Sequence, residues 1–264
     1  MTEPVITLLT TFAPFEGERE IVQTEAAKSF SRLQRCQVVV FDEAENAVYV
    51  CERGGFERVT GLRTGAAVGV DSPAFLMGDA FRKVKPLIRG QVVLWVNGDN
   101  MILPRAAFEG QWKPWELFER LNQQTDGDFV CLGRRLEIAD DPEMCRGLKW
   151  HSLYQKAQRI SHGVDVFAWS RSQFEQVQEL PVLVDGWHYD VWLANDAYSH
   201  CENVYYLSGQ MEVIHFAHKN QQRQITTANA STVHNRATIK AGMGRRYRAS
   251  IWTPPVIPQE LLRS

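Results

Sequence analysis

Residues 92–100 read Val-Val-Leu-Trp-Val-Asn-Gly-Asp-Asn, and the abrupt change from apolar to polar after the fifth residue decides the fold. Five β-branched, aliphatic or aromatic side chains are too few for a helix. They predict a strand buried on both faces, in a sheet covered on each side. The run stops on Asn97, Gly98, Asp99 and Asn100, a carboxylate and two amides at the carboxyl end, where open α/β sheets bind ligands. Hard oxygen donors there suit Mg²⁺ or Mn²⁺ holding a substrate phosphate. The same residues also read as an ordinary Asn-Gly turn, so the rest of the chain has to choose.

Upstream, residues 5–11 predict a first strand, broken by Phe-Ala-Pro-Phe-Glu-Gly at 12–17. Residues 21–33 space Ile21, Ala26, Ala27, Phe30 and Leu33 as a helix with one buried face. Residues 38–41 form a second strand ending on Asp42 and Glu43, which completes a parallel strand-helix-strand unit. The glycine-rich stretch 49–71 holds a weak strand near 56–59. Ser72-Pro73 then reads as cap and first turn of a helix over 74–87. Downstream, 128–132, 164–169 and 212–216 predict strands, and 115–122, 144–159 and 187–198 predict helices. The Pro-Pro-Val-Ile-Pro run from residue 254 predicts extended or mobile chain.

A chain of 264 residues with 44% hydrophobic content buries a full core, and a formal charge of −2 gives no sign of a general nucleic-acid binder. After Gly209, however, Lys219, Arg223, Arg236, Lys240, Arg245, Arg246, Arg248 and Arg263 face only Glu212 and Glu260. That excess reads as a solvated face or as a surface for phosphates or an acidic partner. The cysteines at 36, 51, 131, 145 and 201 form no Cys-x-x-Cys pair and suggest a reducing compartment. With no signal-peptide pattern and no apolar run of membrane-spanning length, the expectation is a soluble intracellular protein.

Thr10 and Thr11 close the first strand, Asp42 the second and Asp99 the central one. In a parallel unit these ends converge on one rim, which suits a nucleotide with a metal at its diphosphate. No Gly-x-Gly-x-x-Gly or Walker sequence is present, so neither a nicotinamide site nor a P-loop is supported. Residues 182–193, Val-Leu-Val-Asp-Gly-Trp-His-Tyr-Asp-Val-Trp-Leu, interrupt an apolar run with two carboxylates. Asp190 falls in a first helical turn, where the dipole favours it for structure as well as for chemistry. Trp187, Tyr189 and Trp192 serve a core or the face of a sugar ring. His215 and His218, at the end of the last strand, offer imidazoles to a metal or phosphate, or are merely satisfied polar groups.

Taken in order, these pieces resemble the nucleotide-sugar-dependent glycosyltransferases of the GT-A fold, over roughly residues 5–219. Residues 12–17 and 21–30 resemble the family's first loop and helix, and 39–43 its second strand. Asn97-Gly98-Asp99 stands where the family keeps an Asp-any-Asp metal motif, with only the second carboxylate present. Residues 132–137, Leu-Gly-Arg-Arg-Leu-Glu, resemble a Gly-Arg-Arg segment of one branch. Residues 163–169, 189–193 and 213–218 resemble the later strand, the helix with its acidic residue, and the closing strand with its histidine. Where that branch often has Gly-Arg before the acidic residue, this chain has Asp185-Gly186.

The resemblance implies an α/β chain of GT-A, Rossmann-like form: one domain over 1–264, with a mixed, mainly parallel central sheet flanked by helices. Residues 1–110 would form a nucleotide-binding half, 111–220 an acceptor-binding half and 221–264 a basic C-terminal extension. It implies Mn²⁺ or Mg²⁺ held by Asp99, His215 and His218. A nucleotide-sugar donor, UDP-linked by family habit, would meet Thr10, Thr11, Phe12, Asp42, Asn97, Arg134 and Arg135. A glycan, lipid-linked or other small acceptor would meet Asp165, Asp185 and Trp187. Asp190 would be the general base of an inverting enzyme, or would only position substrate in a retaining one. The expected location is cytoplasmic, including the inner face of a membrane as a peripheral protein. Two other readings stand beside this one. One is a binding or scaffold protein that lost turnover with the first carboxylate. The other is a sugar-phosphate nucleotidyltransferase, which usually needs a basic glycine-rich loop where this chain has Pro-Phe-Glu-Gly.

Overall fold

The computed structural model describes residues 3–41, 45–103, 113–138, 157, 159–185, 188–207, 210–216, 229–243 and 255–258. The chain opens β1 (Ile6–Thr10), α1 (Glu18–Ser31), β2 (Cys36–Phe41), α2 (Glu45–Gly54) and β3 (Glu57–Val59). There follow α3 (Met77–Val84), β4 (Val92–Val96), β5 (Asn100–Leu103), α4 (Pro114–Gln124), β6 (Val130–Ile138) and β7 (Arg159–Ser170). The later elements are α5 (Arg171–Gln176), α6 (Tyr189–His200), β8 (Val204–Tyr206), β9 (Glu212–Phe216) and α7 (Ala230–Met243).

Among the described residues, nine strands join one sheet in the order β3-β2-β1-β4-β7-β6-β9-β5, with β8 paired to β6. β1, β2, β3 and β4 are parallel, as the strand-helix-strand opening predicts, and β7 enters antiparallel to β4 and to β6. The central run behaves as its composition requires: Val92, Val93, Leu94, Trp95 and Val96 are all buried, on alternating faces. Val92, Leu94 and Val96 pack with Ile21, Val22, Ala26 and Phe30 of α1 and with Phe118 and Leu121 of α4. Val93 and Trp95 pack on the other face, with Phe81 of α3, Phe174 of α5 and Trp192 of α6.

Two local expectations are corrected, and a third is met only at its end. The helix expected from residue 74 begins at Met77, because Phe75 and Leu76 are drawn into bridges with Thr64 and Leu183. Ser72 caps nothing there; its hydroxyl donates to Asp185 Oδ2 at 2.9 Å and accepts from the Ala74 N–H. The helix expected over 144–159 lies outside the described residues except at its end, where Arg159 is already strand. Five elements, α2, β5, α5, β8 and α7, had no expectation at all. The extended run after Thr253 is partly described, and Val256 bridges Tyr206 in parallel.

Candidate active site

The polar end of the central strand is a turn that feeds β5, with the Asn100 N–H donating to the Asn97 carbonyl at 3.0 Å. Its position is fixed against β1, since Gly98 N donates to the Thr11 carbonyl at 3.1 Å. A Cβ at Gly98 would lie 2.2 Å from that same oxygen, so only glycine lets the two strand ends meet. The loop after β1 is braced in turn by Gln23 of α1, which donates to Ala13 O at 2.9 Å and accepts from Ala13 N at 2.6 Å. Phe12 and Phe15 pack in that loop with ring centroids 5.4 Å apart and planes tilted by 53°. Thr10 is fully buried, and its hydroxyl has no hydrogen-bond partner among the described residues.

Around this turn the sheet gathers charge from β6, β7 and β9, with α6 beside them. Asn97 Nδ2 donates to Asp165 Oδ1 of β7 at 3.2 Å, and Tyr189 Oη, in the first turn of α6, donates to Asn97 Oδ1 at 2.8 Å. Arg135 of β6 reaches the same Asp165 oxygen at 3.1 Å and Glu137 Oε1 at 2.9 Å. His215 of β9 is paired laterally with Asn100 of β5 and Glu137 of β6, and its Nε2 stands 3.4 Å from Asp99 Oδ2. Asp99 keeps 30% of its side chain exposed whereas His215 is buried, so the carboxylate faces solvent and the ring backs it.

The electrostatics follow from crowding. Burial raises the Asp165 pKa, with Asp99 and Glu137 adding to it and Arg135 and His215 opposing it. Burial works against the Arg135 charge, but Asp165, Glu137 and Asp99 more than offset it, and its pKa ends above the usual value. Asp190 is pushed up to about 6, first by burial and then by the Asp165 charge, against N–H groups of Val191, Asp190 and Val164 that hold the ionised form. Burial likewise raises the Tyr189 phenol, which stays a proton donor to Asn97.

Asn97, Asp99, Arg135, Asp165, Asp190 and His215 are thus brought together, with Thr10, Thr11 and Phe12 at the adjoining strand end. Arg134 points elsewhere, its guanidinium 5.7 Å from the Tyr206 ring. Asp185 is engaged by Ser72. Asp42, His218 and Trp187 lie outside the described residues. Trp192, open in sequence to core or sugar, is fully buried beside Phe81, so packing claims it. Glu137 was missed as a site residue, although it lies two positions after Arg135 on a strand, a spacing that puts both on one face.

The donor chemistry fits a divalent cation. Asp99 and His215 present an oxygen and an imidazole nitrogen on one spot, a set that Mn²⁺ accepts. Among the described residues no three His, Cys, Asp or Glu side chains enclose an ion by themselves. Cations that bind through one or two protein groups complete their coordination with substrate phosphates and water.

No protein-family model matches the sequence, and no curated protein is similar to it in sequence. The architecture, by contrast, is found among solved structures. Glucosyl-3-phosphoglycerate synthase from Mycobacterium tuberculosis, solved with UDP, superposes at a TM-score of 0.51 and 16% identity, over 98% of this chain and 92% of its own. The same enzyme, solved with Mn²⁺, UDP and glucosyl-3-phosphoglycerate, superposes at 0.51 with 12% identity over the same shares. S. aureus TarS covers 93% of this chain at a TM-score of 0.49 and 13% identity, and this chain spans 44% of it. With a mixed, mostly parallel sheet between helices and the likeness to glucosyl-3-phosphoglycerate synthase, the chain has the GT-A fold.

Proposed function

We propose that this chain is a glycosyltransferase that moves a sugar from a nucleoside-diphosphate sugar, UDP-linked, to an acceptor hydroxyl. The observation that carries the reading is that Asp165 stands between two groups, feeling the charges of Asp99 and His215 and itself acting on Asp190, so that a carboxylate pushed up to about 6 shares one cluster with an oxygen and nitrogen donor set. On a GT-A fold that rim, outside the carboxyl ends of the parallel strands, is where a ligand fits.

The strand end at Thr10, Thr11 and Phe12 and the turn at Asn97 and Gly98 form the donor side, held against each other by the Gly98–Thr11 hydrogen bond. Asp99 and His215 would hold Mn²⁺ or Mg²⁺. When bound, the cation supplies charge stabilisation to the departing diphosphate. Asp190 takes the proton from the acceptor hydroxyl, a role for which a pKa near neutrality is suited because the base must be ionised yet still basic. Arg135, fixed by Asp165 and Glu137, keeps a permanent positive charge beside the donor side. The acceptor is a glycan, a lipid-linked sugar or another small hydroxyl compound.

Melting of the protein with UDP, GDP, CDP or ADP, each with Mn²⁺, Mg²⁺ or EDTA, tests the donor. Binding at a hundred times the dissociation constant stabilises by about 2.7 kcal/mol. For a domain of this size that is several degrees, at about 2–4 °C per kcal/mol. UDP with Mn²⁺ is expected to give the largest shift. If no nucleotide moves the melt under any metal, the reading fails.

A further inference from the structure

The motif at the end of β4 carries an amide where a carboxylate is usual for this fold, and the structure gives that amide a job no carboxylate can do. Asn97 receives the Tyr189 hydroxyl proton on Oδ1 and gives an N–H to Asp165 from Nδ2. An aspartate could accept from Tyr189, but it would face Asp165 with like charge and no proton to share. Asp165 sits one strand over, on β7, and is 7% exposed. Its Oδ1 takes both Asn97 and Arg135, and its Oδ2 has no partner among the described residues.

Among the described residues, Asp99, Glu137, Asp165 and Asp190 share this neighbourhood with the Arg135 guanidinium and the His215 imidazole, an excess of carboxylates. A divalent cation at the Asp99–His215 pair would neutralise that excess. We propose that Asp165 supplies, from the neighbouring strand, the negative charge that position 97 lacks, and that it strengthens cation binding from behind Asp99 without touching the ion. The inference rests on the nucleotide and cation reading above. It makes Asp165 a positioning residue of the cation side, not an acceptor contact.

Mn²⁺ affinity, read by electron paramagnetic resonance in the presence of saturating UDP, separates this from a merely structural role. Asp165→Asn is expected to weaken Mn²⁺ by about 10–100-fold, the usual cost of losing a group that supports a metal ligand. UDP binding in EDTA is measured alongside, so that any loss through Arg135 and Asn97 is read apart from the loss of Mn²⁺. Asn97→Asp sets a second carboxylate against Asp165 and should melt lower than the parent. The exchanged pair Asn97→Asp with Asp165→Asn keeps the charge count and should bind Mn²⁺ within about threefold of the parent. Asp165→Asn binding within threefold of the parent overturns the proposal. If Asp165→Asn does not fold, the exchanged pair decides: a loss of tenfold or more there overturns it. A parent that binds UDP but no Mn²⁺ overturns this proposal alone, whereas a parent that binds no nucleotide sinks the donor reading with it.

Discussion

Asp190 concentrates the residue-scale chemistry. It lies in the first turn of α6, where N–H groups and the helix dipole favour its charge, yet burial and Asp165 dominate and lift its pKa to about 6. Removing the carboxylate while keeping the shape, in Asp190→Asn, should lower sugar transfer by at least about a hundredfold and leave UDP binding unchanged. The parent rate should rise with pH through about 6, since the base must be ionised to accept a proton. Stability should run the other way. The folded chain holds the Asp190 proton more tightly than an unfolded chain, so ionisation between the usual value of 3.8 and about 6 costs stability, and the whole cost is present above that window. Asp190→Asn should therefore melt above the parent at pH 8, with the gain vanishing below pH 4. Melting curves across that range check the sign; a variant less stable at pH 8 would mean that the N–H groups, not burial, set the balance.

At the scale of elements, α7 is tied to the fold by polar contacts. Asn235 is fully buried, and its amide donates to Leu183 O at 2.8 Å and accepts from Leu183 N at 2.7 Å, closing a two-bond clip onto the segment before α6. Ser231 and Thr232 are also buried on this helix. Asn235→Ala leaves both backbone groups of Leu183 unpaired, which costs about 2–4 kcal/mol, and should lower the melting temperature by several degrees. A shift under one degree would show that water replaces the clip. The same polar inward face explains why α7 was invisible in the sequence: a search for apolar residues three and four apart finds Ile239 and Met243 and little before them. The strands β5 and β8 escaped for a different reason. They are four and three residues long, too short to show alternation, and pairing with β9 and β6 makes them strands.

At the scale of the molecule, the antiparallel β4–β7 pairing joins the parallel first half to the second half in one sheet, and Asn97, Asp165 and Tyr189 bond across that seam. The two halves should therefore unfold together. Calorimetry is expected to give one transition with equal calorimetric and van't Hoff enthalpies; two separable transitions would divide the domain. The sequence by itself determined the parallel opening, the buried central strand, the position of Asp99 at its end and of Asp190 in a first helical turn. Each of these is written in local pattern: apolar runs, turn residues and helical spacing. Only the tertiary structure decided that Asn97 serves Asp165 and Tyr189, that Arg135 and not Arg134 joins the cluster, and that His215 stands behind Asp99. Those partners come from the turn after β4 and from β6, β7, β9 and α6, and their meeting depends on strand order and register. No local pattern along one chain encodes that register, because it is set by which strands pair after the core has closed.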